Sequence, residues 1–387
     1  MALLTRKRLI LAEIESQYGT DPNPGAADAI LVRDLSITPL QSDVVSRDLV
    51  RPYLGASEQL LANTRVECTF SVELAGSGTA GTAPRFGSVL KACGLAETAV
   101  TPAVTGTATA GALNSITLAA GASAVNDFYK NQILRITAGT GSGTVALITG
   151  YVGSTKVATL RTVNGSVTPD NTSAYSIDAH TLYTPVSSAF SSVTIHYNID
   201  GVLHKATGCR GTFSLNTAVG EIPTIDFTMT GIYSAPTDTA APTPTYANQA
   251  TPQIFKAGNS GAFNLLGYSG CLQSVAMEVG NTIVYRELVG CTKEVLLTDR
   301  ASTGTVVIEA PTIATKDYFT AALTDGTLGD LTFIHGTTAG NIVSMISNRV
   351  DIGDPSYSDQ DGIHMLSLPY TAVPSTAGND EFRLIFA

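Results

Sequence analysis

Serine, histidine and carboxylate are the side chains here whose spacing would decide whether the chain performs catalysis or holds an ion. GNSGA at 258–262 and GYSGC at 267–271 each approach GxSxG, the strand-to-helix elbow that raises a serine nucleophile against an acyl carbon. The final glycine is replaced by Ala262 in one and Cys271 in the other, and no helical pattern follows either. GTGSGT at 139–144 is glycine-rich enough to cradle a phosphate but lacks the Lys-Ser/Thr ending and stands between strands, so it reads as a hairpin turn. The histidines (His180, His196, His204, His335, His364) form no HExxH or short metal pair. His196 and His204 flank an Asp-Gly turn, where they could face one another, although ordinary strand positions are the simpler account. Asp354, Asp359, Asp361 and His364 invite a cation, but Gly362 directly after Asp361 departs from the calcium-loop spacing, which leaves a turn of solvated carboxylates. The five cysteines are odd in number and contain no CxxC, so they read as reduced, mostly buried thiols of a protein folded in cytosol. Asn164 and Asn171 begin formal glycan acceptors that mean nothing without export. The reading is a protein with no catalytic residues, no metal and no cofactor.

Composition narrows the class. Of 387 residues, 44% are hydrophobic and 14% charged, against about 25% charged in an ordinary domain, which excludes a disordered chain. The length predicts two or three domains. So few charges, with no Trp, point to an outer surface covered by other subunits. The net charge of −10 is uneven: residues 1–100 carry nine basic and eleven acidic side chains (−2), residues 101–180 four and three (+1), and residues 181–387 nine and eighteen (−9). Such a balance disfavours adhesion to nucleic acid. Arg6, Lys7 and Arg8 imitate an export signal, but the apolar run after them stops at Glu13, and no stretch approaches the ~18 apolar residues of a membrane helix.

The dominant pattern has period two. Val66, Cys68, Phe70, Val72 and Leu74 alternate with Arg65, Glu67, Thr69, Ser71 and Glu73, predicting a strand with one buried and one wet face. VTIHYNI at 193–199 meets Asp200-Gly201, a hairpin signal, and residues 271–279 are predicted to turn at Gly280-Asn281 into TIVYRELV as a second hairpin. Further strands are expected at 305–309, 331–335, 341–352, 363–370 and 381–386. Two short helices interrupt them, at 85–93, closed by Gly94, and at 315–323, capped by Thr315. The fold class is mainly β. Residues 101–180, near-neutral and rich in Ala, Gly, Thr and Ser, split into short strands and read as a small all-β domain inserted into a host domain of 41–100 and 181–387. Excising Val104–Asp178 and joining the ends with a short Gly-Ser linker is expected to leave a host that still folds and assembles. The Pro- and Thr-rich stretch 234–249 reads as an extended connector.

Three pieces of sequence carry a resemblance. They are AEIESQYGTDPNPGAADAILVRDLSITPL near the start, LVRPYLGASEQLLANTRVECTFSVELAGSG followed by APRFGSVLKACGL, and a C-terminal run of VVIEAP, DYFTAAL, FIHGTTAGN, DGIHMLSLPYTAVP and NDEFRLIFA. In this order the chain resembles the major tail tube protein of long, non-contractile phage tails. The resemblance implies a β-sandwich flanked by a helix, six copies closing into a ring around an inner β-barrel, and rings stacking into a tube that conducts DNA during genome ejection. It also implies contacts with tape-measure, tail-terminator and distal tail proteins, and DNA as a cargo that must not stick. The lumen-facing residues expected under it are Arg65, Glu67, Thr69, Ser71 and Glu73, with Glu278, Glu287, Glu294 and Glu309. Residues 1–40, broken at Gly19, Pro22, Pro24 and Gly25, are expected to be an arm on a neighbouring subunit that covers Leu9, Ile10, Leu11 and Ile14. The alternatives are a carbohydrate-binding tail fibre or adhesin, which would show exposed aromatic clusters, a capsid or head-decoration protein, and an enzyme.

Overall fold

The structure, a computed structural model, describes residues 3–47, 49–163, 165–324 and 326–387. The formal glycan acceptor at Asn164 lies outside them. Among the described residues, regular structure is antiparallel strand, apart from one 3-10 turn and two six-residue helices.

The alternation read in 65–74 is built as expected. In Leu60–Glu73, Val66, Cys68, Phe70 and Val72 are buried, and Arg65, Glu67, Thr69, Ser71 and Glu73 are half-buried on the other face. Asp200 (φ 38°) and Gly201 (φ 103°) close a two-residue turn between Val193–Ile199 and Val202–Ala218, the positive-φ pair that matches the twist of a hairpin. From these strands grows a half-barrel in the order Arg33–Val45, Leu60–Glu73, Thr224–Tyr233, Val202–Ala218, Leu272–Glu278, Thr303–Glu309, Ile363–Ala372, Ser356–Gln360. Its first and last strands have no further partner among the described residues. Its apolar face (Phe70, Phe213, Phe227, Ile308, Leu368) packs on Phe333, Met345, Leu384 and Phe386 of a second layer that includes Gly329–His335, Val343–Ile352 and Arg383–Phe386, and on Val89 and Leu90 of helix Gly87–Ala92. Each such side chain contributes about 1.5–3 kcal/mol when fully buried.

Two expectations are corrected. Leu272–Glu278 does not turn back on the strand that follows it; it pairs with Thr303–Glu309 and Val202–Ala218, while Asn281–Arg286 pairs with Glu294–Arg300 in a separate two-stranded ribbon. The Asn281 side chain causes the departure by donating to the Cys93 carbonyl (2.7 Å) and the Gly211 carbonyl (2.9 Å), which lifts the chain out of the sheet. The second helix is Tyr318–Leu323 and starts later than expected, because Asp317, not Thr315, accepts from the Thr320 N–H (2.9 Å).

Residues 104–177 form their own seven-stranded sheet, and Ile116, Leu134, Ile136, Ile148, Leu160 and Tyr175 cluster on one side of it. The opposite side is not free. Ile133, Val145, Leu147 and Val163 meet Ile334, Ile342, Ile346 and Ile385 of the second layer. Arg161 adds hydrogen bonds to the Thr332 hydroxyl (2.8 Å) and the Asp330 carboxylate (3.3 Å).

Arg8–Ile14 is a strand of the subunit itself, paired with Val193–Ile199. Leu9, Ile10 and Leu11 are buried there and Ile14 is half-buried, so most of their cover comes from the same chain. The segment that follows is pinned by carboxylates. Buried Glu15 accepts from Ser192 Oγ (2.6 Å), Thr194 Oγ1 (2.7 Å) and the N–H groups of Gly19 (2.7 Å) and Gly208 (2.6 Å). Asp21 accepts from Lys205 (2.9 Å) and meets His196 (3.0 Å); although burial opposes its charge, these bonds hold its carboxyl below the usual range.

Candidate functional site: the polar face of the half-barrel

Residues directly opposite in antiparallel strands share a face, so the register assembles the site. One row across the sheet reads Ser71, Asp226, Ser214, Glu278, Thr303, Thr371. The next reads Glu73, Thr224, Asn216, Ala276, Thr305, Pro369. On the other side of the first lie Thr69, Thr228, Thr212, then Glu67, Thr230, Arg210. Seven of the expected residues (Arg65, Glu67, Thr69, Ser71, Glu73, Glu278, Glu309) therefore stand on one continuous hydroxyl-rich face. Glu287 and Glu294 do not. They sit on the ribbon, where Glu287 pairs with Lys293 (3.0 Å) and Glu294 with Arg286 (3.1 Å).

The two ends of the face differ: at the Arg65 end the cations are paired, Arg65 with Asp43 (3.4 Å) and Arg210 with Glu294 (3.6 Å). At the Arg65 end it is covered by the ribbon and by Tyr18, and the Arg210 guanidinium lies there, 4.8 Å from the Tyr18 ring centroid. Burial pushes the Tyr18 phenol up to about 12. The other end is open and carries Glu73, Asp226, Glu278 and Glu309, with Arg33 at the margin opposite Ser71. A concavity of about 790 Å³ lies there between Asp34, Asn216, Glu221 and Asp226. Asp226 is held in place by Ser71 and by the Asn216 amide (2.7 Å). The sequence reading missed Asp226, although TIDFTMT at 224–230 shows the same alternation as 65–74.

The near-motifs have structural accounts. The 139–144 loop joins two strands. His196 stands opposite Lys205 and His204 opposite Tyr197, so the two histidines point to opposite faces. Among the described residues no three His, Cys, Asp or Glu side chains group as metal ligands, the Asp354–His364 region included. Ser260 opens a strand rather than a helix, and a Cβ on Gly261 would come 2.2 Å from the Val163 carbonyl oxygen, so the small residue of GNSGA makes room for the 104–177 sheet. Ser260 Oγ lies 2.8 Å from Nδ1 of His335, a buried imidazole whose burial pushes it down to about 4.

That imidazole sets an acid limit on stability. Unfolded, it takes a proton near pH 6.5; folded, it does so only near 4, so its stabilisation is complete above 6.5 and is lost as pH falls toward 4. The loss expected from His335 is roughly 3 kcal/mol. Urea denaturation between pH 7 and pH 4.5 checks it: His335→Gln is expected to flatten the decline, and an unchanged slope would assign it to other groups.

A curved sheet with two open edges, a closed apolar back and a hydroxyl- and carboxylate-bearing front is the architecture of a β subunit built to join others at its edges. The family comparison makes the class specific: the chain belongs to the phage tail tube protein family, whose model matches residues 5–372. It is thus a structural protein of the virion tail that assembles with itself and with other tail proteins. No curated protein matches the chain.

Proposed function

We propose that this is the major tube subunit of a long, non-contractile tail, that six copies close into a ring, and that stacked rings enclose a channel for DNA. The observation that carries this reading is the half-barrel with Arg33–Val45 and Ser356–Gln360 as open edges. A sheet edge left bare invites pairing with another chain, and closure through copies removes every edge at once. The exposed side chains Leu49, Val50, Tyr53 and Leu54, in the connection between Arg33–Val45 and Leu60–Glu73, also await cover. The acidic open face lines the channel, where carboxylates meet phosphates and no counterion release drives sticking. Residues 104–177 form an insert that folds in its own right and rides outside this barrel. The subunit folds in the host cytoplasm and meets tape-measure, terminator and distal tail proteins at the ends of the tube.

Electron microscopy of the purified protein tests the reading. Stacked rings with a central hole are expected; compact trimers, or monomers at every concentration, would overturn it.

A further inference from the structure

Where the 104–177 sheet parts from the host, a cleft of about 890 Å³ opens between them. The alternation of its strands builds one wall. Val145, Leu147 and Val163 seat the sheet on the host isoleucines. On the same side of the sheet, Thr149 of Val145–Val152 and Thr159 and Arg161 of Val157–Thr162 line the cleft instead. Across from them the host presents Ser260, with Gly261 and Ala262 as a floor too small to fill the space, while Val219 and Leu272 supply apolar surface. A cleft of this size at a junction between two bodies, apolar with a few convergent polar groups, is suited to a small ligand.

The charge of the cleft runs against that of the chain. No Asp or Glu lines it among the described residues, although the chain carries 32 acidic and 22 basic side chains. Arg161 shares its charge with Asp330 (3.3 Å) and is steadied by the buried Thr332 hydroxyl (2.8 Å). Lys256 is exposed and belongs to no ion pair among the described residues. It shares a turn with Ser260, whose N–H donates to the Lys256 carbonyl (2.9 Å). The Ser260 hydroxyl is held from behind by Nδ1 of buried His335 (2.8 Å), a ring that stacks on Phe255 at a centroid distance of 5.7 Å. An imidazole that takes a proton only near 4 is too weak a base to activate the serine at neutral pH, so Ser260 serves as a fixed hydrogen-bonding group and not as a nucleophile. An unpaired ammonium beside a fixed hydroxyl suits a phosphate oxyanion, and the hydroxyls of Thr149, Thr159 and Ser269 suit a polyol.

We propose that this cleft binds a small phosphorylated polyol of the sugar phosphate class, with Lys256 and Ser260 on the phosphate and the threonine hydroxyls of the 104–177 sheet on the polyol. The site lies within one subunit, so it does not rest on the tube reading. Cys271 lines the cleft and is exposed; Cys291 is the other exposed thiol among the described residues, and Cys68, Cys93 and Cys209 are buried. In the full-length Cys291→Ser chain, maleimide labelling of Cys271 therefore reports on occupancy, since thiol reactivity follows access. Glucose 6-phosphate is the probe, and at millimolar concentration it is expected to slow labelling about fivefold or more. Glucose and inorganic phosphate each match half of the site and should need roughly tenfold higher concentrations. Lys256→Gln is expected to keep the melting temperature of the free chain while raising the glucose 6-phosphate requirement about tenfold. A glycerol phosphate oligomer separates two sources of the same chemistry. Stronger protection by the oligomer than by glucose 6-phosphate assigns the ligand to a phosphate-bearing polymer, and weaker protection assigns it to a free sugar phosphate. No protection by either probe, equal protection by inorganic phosphate (an adventitious ion only), or undiminished protection of the Lys256→Gln chain would each overturn the proposal.

Discussion

Excision of residues 104–178, with a short Gly-Ser linker joining the ends, is expected to leave a host that aggregates or unfolds readily, the reverse of what the sequence pattern predicts, because the insert covers part of the host's second layer. The second layer alternates sharply. Phe333, Met345, Leu384 and Phe386 face the half-barrel, while their neighbours Ile334, Ile346 and Ile385 face Ile133, Val145, Leu147 and Val163. Removing the 104–177 sheet bares that outer row and Ile342 in one step. If each of the four isoleucines loses half of roughly 2 kcal/mol of burial, the loss is about 4 kcal/mol, a large share of the 5–15 kcal/mol that holds a domain together. The hydrogen bonds from Arg161 to Thr332 and Asp330 go as well. Urea midpoints of the full and excised chains measure the effect. A companion variant with Ile334→Thr, Ile346→Thr and Ile385→Thr separates lost cover from a poor linker, because it should recover solubility. An excised chain that is as soluble and stable as the full one would show that the shared face contributes nothing.

Much of the fold is legible in the sequence, and what is not has a physical reason. The strand at 65–74 and the hairpin at Asp200-Gly201 were legible because one buried face and one positive-φ turn are local facts written in consecutive residues. The ribbon was not, because what lifts Asn281–Arg286 out of the sheet is an Asn281 amide reaching the carbonyls of Cys93 and Gly211, far away in sequence. The two-sided burial of the 104–177 sheet left a trace that was read only as texture. VALI at 145–148 is a continuous apolar run, the mark of a strand buried on both faces, and Val145 and Leu147 face the host while Ala146 and Ile148 face their own core. The burial of Leu9, Ile10 and Leu11 in their own subunit was hidden for a similar reason. Their apolar character calls for cover but does not say whose, and the answer lies about 190 residues away in Val193–Ile199.

Reversing charge on the open part of the polar face is expected to arrest DNA while leaving the subunit intact. Glu278 and Glu309 are the residues to change, since both are exposed, neither is in an ion pair among the described residues, and both share the face that carries Asp226 and Glu73. Surface changes of this kind shift stability by about 0.5 kcal/mol or less, so Glu278→Lys with Glu309→Lys should fold and assemble normally. The charge alters by +4 per subunit, from −10 to −6, and all of that change falls on one face. Each lysine that neutralises a phosphate releases a counterion, and the gain falls steeply with salt. Four engaged phosphates would change DNA affinity roughly 10²-fold between 50 and 200 mM salt. In the tube proposed above, the channel would then become a sequence of wells, deepest at low ionic strength, through which the genome must be dragged. The measurement is genome delivery by virions carrying the double change, followed against salt and beside a Glu287→Lys control on the ribbon. Delivery that is slow at low salt and recovers at high salt is the expected result. Normal delivery at every salt concentration, with intact tubes, would mean that Glu278 and Glu309 face something other than DNA and that the channel lies against a different surface of the subunit.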